Sequence, residues 1–506
     1  MTACDFIIIG AGSAGLAALG QLMANEAGTV TVIEAGPTDR SPLVAMPFGL
    51  VWMMGRKRRD WCFTSTPQQH LGGRQIAIPR GRMLGGSSAI NSMVWFRGRR
   101  DDYDAWALPG WRWHDVAPAF EAIENHMAPE RMRGAHPLTE ALGTVFGGNG
   151  TAVPTPEYES AGVFAFNMRA GRRWSAADAF LRPARIGADL RVMTGRVVDR
   201  IACADGTARR VILSDGTEIA ARKGVILSAG SIGSPAILMR SGIGPRADLA
   251  RIGIDVILDA PEIGENLHDH PSVGLYFEGR GTGYGLTLAQ APAWMLSPLR
   301  YLVTRRGRLA SPTVEGGGFF NARGTGGPPD VQMHFIPFKL GWSGRRYTRG
   351  SGYFADICLC RPKSRGRLRL ASKDPQCAPD IDLGLLTDTD DRDTLVAGLS
   401  RLRRIMARAD FGTRRGAEVF PGPEIAGDAA ISAHITRHCA TAYHPVGTLR
   451  MGQGNAPVGP DLRLRGIDRL WVADASVMPA VTSANTNAPS MMIGYKAGDM
   501  IAKEAA

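Results

Sequence analysis

The amino-acid sequence predicts an α/β protein, with a Rossmann-like dinucleotide-binding domain assembled from separated segments and a substrate domain built on an antiparallel sheet. Three observations carry this. Phe6-Ile7-Ile8-Ile9 is a short apolar run that leads straight into Gly10-Ala11-Gly12-Ser13-Ala14-Gly15. Segments of similar strand-like character recur far downstream, at 224–229 and 470–473. Between them the pattern changes to alternation of apolar and polar residues, as in Val331-Gln332-Met333-His334-Phe335.

Continuous apolar residues rich in β-branching, as in 6–9, suit a parallel strand buried on both faces. Leu16 to Ala24 has helical composition, and Val30-Thr31-Val32-Ile33-Glu34 reads as the next strand, which makes a βαβ unit. Gly224 to Ala229 and Leu470 to Ala473 complete the same sheet from a distance. From Ser272 to about Arg437, alternating segments that include Gly366 to Leu370 suit an antiparallel sheet open on one face. Residues 1–150, 190–271 and 438–506 are therefore assigned to the dinucleotide domain, and 151–189 and 272–437 to the substrate domain. Gly147 to Gly150 and Gly324 to Pro329 read as loops. Pro489 suits the first turn of a helix that runs through Ser490 to about Lys503.

A chain of 506 residues with 44% hydrophobic content is long enough for two joined domains. Its 63 glycines follow no fixed period, which points to tight turns and close backbone approaches rather than to a fibre. A net charge of +12 raises nucleic acid or an anionic membrane as partners. The arginines, however, fall in short clusters such as Arg56 to Arg59 and Arg97 to Arg100, which read as solvated faces. No aromatic-interleaved basic stripe is present, so no nucleic-acid partner is expected. Seven cysteines do not form a disulfide framework, and a reducing, cytoplasmic setting is expected. Cys358 and Cys360 read as core thiols rather than zinc ligands. The opening MTACDFIIIGAGSAG lacks a basic leader and reads as a first strand, not a signal peptide, and no segment is apolar for long enough to span a bilayer.

The glycine fingerprint has a physical logic. Gly10 permits a tight turn, Gly12 lets backbone approach a pyrophosphate, and Gly15 lets helix and strand pack, while the helix N-terminus faces the phosphates. Glu34, at the end of the second strand, is placed to accept hydrogen bonds from a ribose diol. This fingerprint serves NAD and FAD alike.

The remaining motifs decide between them. They are Gly81-Arg82-Met83-Leu84-Gly85-Gly86-Ser87-Ser88-Ala89-Ile90-Asn91, Gly230-Ser231-Ile232-Gly233-Ser234-Pro235, Asn266-Leu267-His268-Asp269-His270 and Tyr443-His444-Pro445-Val446-Gly447-Thr448. With Gly10 to Gly15 they run nearly end to end, and in this order the chain resembles the glucose-methanol-choline (GMC) oxidoreductases. The resemblance implies FAD. Ile90 stands at the position where some members bear a flavin-linked histidine, so FAD is expected to be non-covalent.

By the same resemblance, FAD contacts are expected from Gly10, Gly12, Ser13, Ala14, Gly15, Glu34, Ala35, Arg82, Gly85, Gly86, Ser87, Asn91, Val197, Ala229, Gly230, Asp474, Ala475, Asn485 and Pro489. Asp474 also has a plain reading as a turn-capping carboxylate, and Ser87 or Ser88 as a helix cap. His444 is expected to be the catalytic base, because histidine takes a proton near neutral pH. Asn487 is the expected second member of the catalytic pair, holding the substrate oxygen by hydrogen bond. His268 and His270 form an H-x-H pair, but the resemblance places them in a loop near the cofactor without metal.

The expected activity is oxidation of a small-molecule alcohol to an aldehyde or ketone by hydride transfer to flavin N5, with O2 or a quinone as the electron acceptor. The rival readings are a non-redox FAD-containing lyase of the same family, a catalytically silent flavin scaffold and an NAD-linked dehydrogenase.

Overall fold

A computed structural model describes residues 2–148, 150–184, 189–339 and 350–505. The strands that position the site are β1 (Thr2–Ile9), β2 (Val30–Glu34), β3 (Ser160–Val163), β4 (Leu190–Thr194), β5 (Val198–Ala204), β6 (Thr207–Leu213), β7 (Glu218–Leu227), β8 (Pro271–Glu278), β9 (Gly316–Phe320), β10 (Val331–Ile336), β11 (Gly352–Leu359), β12 (Ala417–Phe420) and β13 (Leu470–Val472). The helices that matter here are α1 (Ser13–Ala24), α2 (Gly230–Arg240), α3 (Ala291–Thr304), α4 (Thr389–Arg408) and α5 (Asn487–Ala505).

The first sheet runs β4-β2-β1-β7-β6-β5, with β13 also paired to β7. Strands β4, β2, β1, β7 and β13 are parallel to their neighbours, and β5 and β6 form an antiparallel flank. Strand β7 serves both patterns because it is ten residues long. Its first part pairs β6 at Glu218–Ala220, and its last part pairs β13 at Val225–Leu227. Residues 6–9 and all of β2 are buried, as a strand covered on both faces requires. The mixed α/β architecture expected from the sequence is therefore present.

Helix α5 lies against α1. A Cβ on Gly494 would sit 2.0 Å from the Ala14 carbonyl oxygen, so only glycine permits this crossing. The close approach brings the N-terminal ends of α1 and α5 to one place. Both helices begin slightly earlier than the sequence pattern indicates, at Ser13 and Asn487, and Pro489 falls in the first turn of α5.

The second sheet is antiparallel, in the order β12-β8-β11-β10-β9-β3. Its surroundings differ from the sequence expectation in one respect. The residues of β9 and β11 are all buried, and so are those of β10 up to Phe335, so the central strands have no open face, while the edge strand β12 is partly exposed. The polar members of the alternation point into the protein: Gln332 and His334 are buried and face other polar side chains. Gly366 to Leu370 is not part of this sheet, since Arg367–Arg369 pairs with Asp380–Asp382 in a separate two-stranded ribbon. The Arg97 to Arg100 cluster is also less solvent-directed than expected. Arg97 holds Glu124 and Arg99 holds Asp101 in paired hydrogen bonds. All seven cysteines are thiols, and Cys358 and Cys360 are buried.

Candidate active site

A cavity of about 880 Å³ runs between the two sheets, from the β1–α1 turn and Glu34 at one end to His444 and the β10–β11 face at the other. The N-terminus of α1 opens onto it. No side chain caps that helix, and its first turn carries no acidic residue. Its free N–H groups and positive dipole end therefore remain available to an anionic ligand such as a pyrophosphate. A Cβ at Gly12 would meet nothing within 4 Å, so the backbone there faces open space. The facing wall comes from the second motif, where Gly86 adopts φ +52° and a Cβ would lie 2.7 Å from the Cα of Gly12. Two backbone segments thus approach each other at the phosphate end, as a dinucleotide cradle requires.

Glu34 is buried and lines the cavity, with its carboxylate accepting from the backbone N–H of Ala11 at 3.1 Å and of Gly36 at 2.8 Å. Burial pushes its pKa up to about 7, against the opposing pull of those N–H groups. Asp474, at the end of β13, also lines the cavity. It accepts from the N–H of Gly230 at the start of α2, from Ser234 Oγ and from the N–H of Ser476. Its capping geometry and its place at the cavity wall coexist. Ser13, Ala14, Ala35, Ser87, Asn91, Val197, Ala229, Ala475 and Asn485 line the cavity too. Ile90 also lines it, and its side chain offers no nucleophile to a flavin.

Four of the expected contacts lie behind this wall. Gly15 packs on the Gly10 carbonyl, Gly85 stands behind Gly86, and Pro489 sits one turn into α5. The Arg82 guanidinium lies over the Trp61 ring, 4.8 Å from its centroid. The segments are those expected, but these side chains shape the wall rather than face the cavity.

At the opposite end, Tyr443 adopts φ +68°, a left-handed conformation that is strained for a side chain of this size. It is held by its neighbours. The buried Asp269 carboxylate accepts from the N–H of His444 at 2.8 Å, from the N–H of His270 and from Thr441 Oγ1, and the half-buried Arg80 guanidinium donates to the Tyr443 carbonyl. This frame aims the His444 ring into the cavity.

The hydrogen bonds around His444 assign its tautomer. His270 Nε2 lies 3.1 Å from the Thr482 carbonyl, which only accepts, so His270 carries its proton on Nε2. His270 Nδ1 is then an acceptor, and His444 Nδ1, 3.0 Å away, must donate to it. His444 Nε2 is left as a bare lone pair. The Asn485 amide answers it: Gln332 Nε2 donates to Asn485 Oδ1 at 2.9 Å, which turns Asn485 Nδ2 toward His444 Nε2 at 3.1 Å. Burial, reinforced by the nearby His270, His334 and Arg80, holds the His444 pKa well below its usual value. His270 is held down to about 4 and His268 to about 3, both mainly by burial. The cluster is neutral at physiological pH and presents one basic nitrogen.

The two asparagines have different partners. Asn487, expected beside His444, instead accepts at Oδ1 from Ser13 Oγ at 2.8 Å and ties the start of α5 to the start of α1. Asn485, expected only at the flavin edge, is the amide within reach of His444. Both asparagines line the cavity, and the buried Nδ2 of Asn487 has no hydrogen-bond partner among the described residues. His268 and His270 do not converge on a common point. His268 bonds the Asn266 carbonyl and the Val481 N–H, whereas His270 meets His444.

The sequence reading did not single out Arg80, Gln332, or the His334–Asp356 pair. His334 Nδ1 lies 3.0 Å from Asp356 Oδ1, and its buried Nε2 has no hydrogen-bond partner and lies on the cavity wall. Adjacent-strand pairing of β10 with β11 aligns His334 with Asp356, which local spacing alone does not reveal.

Comparison with known proteins agrees with this geometry. A sequence profile described as GMC oxidoreductase matches residues 4–272, and a second with the same description matches residues 362–494. The chain is 34% identical to an alcohol dehydrogenase [acceptor] of Pseudomonas putida, over 99% of this chain and 96% of that one. It is 36% identical to an oxygen-dependent choline dehydrogenase of Rhizobium johnstonii, over 98% and 95%. Among solved structures, a pyridoxine 4-oxidase from Mesorbium loti superposes with a TM-score of 0.86 at 28% identity over 98% of both chains. A formate oxidase superposes with a TM-score of 0.88 at 25% identity, over 99% of this chain and 98% of that one. With more than half of its length matched by the first profile alone, and with a dinucleotide cradle facing a neutral imidazole across one cavity, the chain belongs to the GMC oxidoreductase family.

Proposed function

We propose that the protein oxidises a neutral alcohol bearing an apolar or aromatic substituent to the corresponding aldehyde or ketone, with His444 as base and Asn485 as the group that holds the oxygen. FAD is the cofactor, and when bound non-covalently it supplies the acceptor for the hydride that leaves the alcohol carbon. The hydroxyl proton goes to His444 Nε2. The same oxygen accepts from Asn485 Nδ2, so the hydroxyl takes the place of the direct contact between these two groups. The observation that carries the reading is the relay from the Thr482 carbonyl through His270 to His444, because it leaves the basic nitrogen on the cavity side. Holding oxygen and base together in this way fixes the carbon in one orientation, which is the main contribution an amide can make here.

The substrate class is read from the wall around the imidazole. Ile336 and Phe354, paired across β10 and β11 next to the His334–Asp356 pair, are cavity residues, as are Val314 and Trp52. Asp356, the acidic residue of that wall, is engaged by His334 and Ser272. Aromatic rings also attract a quaternary ammonium, but with Asp356 already engaged this wall offers such a cation no free carboxylate, and an apolar substituent fits it. The test is an anaerobic screen over aliphatic, aromatic, amino and sugar alcohols. Bleaching of the flavin absorbance by apolar and aromatic alcohols is expected. Unchanged absorbance with every alcohol would overturn the oxidation and leave the lyase and silent-scaffold readings. Admitting air afterwards separates O2 from a quinone as the electron acceptor.

A further inference from the structure

We propose that helix α3 docks the protein onto an anionic lipid surface beside the mouth of the cavity. The first observation is exposure. Met295, Leu296, Leu299, Leu302 and Val303 are each 62 to 81% exposed, and Leu288, just before the helix, is 93% exposed. Seven of the eleven exposed large apolar residues among the described residues lie between 286 and 303. A concentration of this kind marks an interaction surface, whereas scattered exposed leucines do not.

The second observation is that α3 has two apolar faces. Its inner stripe is Trp294, Ser297 and Tyr301, at helical spacing, with Ser297 and Tyr301 buried and Trp294 packed against the cluster that contains Tyr301. Trp294 Nε1 donates to the Gly285 carbonyl at 2.9 Å, and Tyr301 OH donates to the Gly171 carbonyl at 3.1 Å. The outer stripe at 295, 299, 302 and 303 repeats at the same spacing on the opposite side and stays mostly exposed.

Charge selects the occupant. Between Glu278 and Glu315 the sequence contains five arginines, at 280, 300, 305, 306 and 308, and no aspartate or glutamate. Arg305 and Arg308 are committed inward, over the rings of Tyr301 and Trp294. Arg300 and Arg306 are exposed at the end of the apolar stripe. An apolar stripe bordered by arginines without any acid matches a bilayer surface of anionic headgroups above acyl chains. A second copy of the chain would bring arginine against arginine, with no acidic residue in the segment to answer it. At 14 residues with two prolines, the helix lies in such a surface and does not cross it. Phe48 connects it to the cavity: its ring lies 5.7 Å from that of Trp294 and 5.4 Å from that of Trp52, and Trp52 is a cavity residue.

The experiment is co-sedimentation of the flavin-loaded full chain with phosphatidylcholine vesicles, with and without phosphatidylglycerol. Preferential pelleting with the anionic vesicles, weakened by salt, is expected. The Arg300→Glu/Arg306→Glu variant should bind roughly 25-fold or more weakly, at about fivefold per arginine. The Leu296→Ser/Leu299→Ser/Val303→Ser variant should lose binding to both vesicle types. Both variants should keep their flavin absorbance, their melting temperature and their turnover of a water-soluble alcohol, which shows that they are folded. Equal pelleting with and without the anionic lipid, or pelleting unchanged in both variants, overturns the proposal. So does a wild-type dimer that the triple serine variant splits while neither protein binds vesicles, since the surface then belongs to a second copy.

Discussion

The division of roles between Asn485 and Asn487 is open to a direct test with two alanine variants. In Asn485→Ala the substrate oxygen loses the donor that stands 3.1 Å from His444 Nε2. As the proton leaves, that oxygen gains negative charge. Removing one preorganised donor from such an oxygen slows chemistry by about 10²- to 10³-fold, or about 2.7–4 kcal/mol. The same variant leaves the buried Gln332 Nε2 without its partner at Asn485 Oδ1, which costs on the order of 1–3 kcal/mol of stability. In Asn487→Ala the loss is different. The bond from Ser13 Oγ that joins the starts of α1 and α5 disappears, so the cradle loosens while His444 keeps its amide. The assay is anaerobic stopped-flow reduction of bound flavin at saturating alcohol, together with flavin retention on gel filtration. The expected pattern is slow reduction with flavin retained for Asn485→Ala, and weaker retention with reduction slowed by less than about tenfold for Asn487→Ala. The reverse pattern would refute the assignment of Asn485 to the substrate oxygen.

Four further outcomes follow from the same geometry. His444→Ala should keep its flavin and lose flavin reduction by about a hundredfold or more, measured in the same stopped-flow assay; undiminished reduction would remove His444 from the chemistry. Because the His444 pKa lies below the usual histidine value of about 6.5, its basic form persists through neutrality, so kcat/KM should hold level as pH falls to about 6.5 and decline only below it. An acid limb centred at or above neutrality would contradict the buried, neutral imidazole. Glu34→Ala removes the acceptor for the Ala11 and Gly36 N–H groups and the carboxylate proposed for the ribose, so flavin should dissociate more readily and added FAD should restore turnover. Gly86→Ala places a Cβ 2.7 Å from Gly12 Cα at φ +52°, and flavin retention and melting temperature should both fall, the left-handed backbone alone costing about 1–2 kcal/mol.

What the sequence determined by itself is the local physics. A run of branched apolar residues, a glycine turn and a helix are contiguous, so the βαβ unit and the place of Glu34 at the end of its second strand were legible from their order, whereas the uncapped start of the helix at Ser13 was not. His444 was singled out only by the resemblance of its Tyr443-to-Thr448 motif to the GMC family, and no local pattern distinguishes it from the other histidines. The tertiary structure decided everything that depends on which strands and helix ends become neighbours. Alternation in 331–335 marked a strand, but alternation carries no information on what covers the polar face; Gln332 and His334 turned out to face Asn485 and Asp356, not solvent. Which partners Asn485 and Asn487 meet depends on where the first turn of α5 lies, and that turn is tied to the start of α1 by the bond from Ser13 Oγ to Asn487 Oδ1. The proton position on His444 is set by the carbonyl of Thr482, 38 residues away in the chain and reached only through His270. Hydrogen bonds act over about 3 Å, and only the folded chain brings these groups that close.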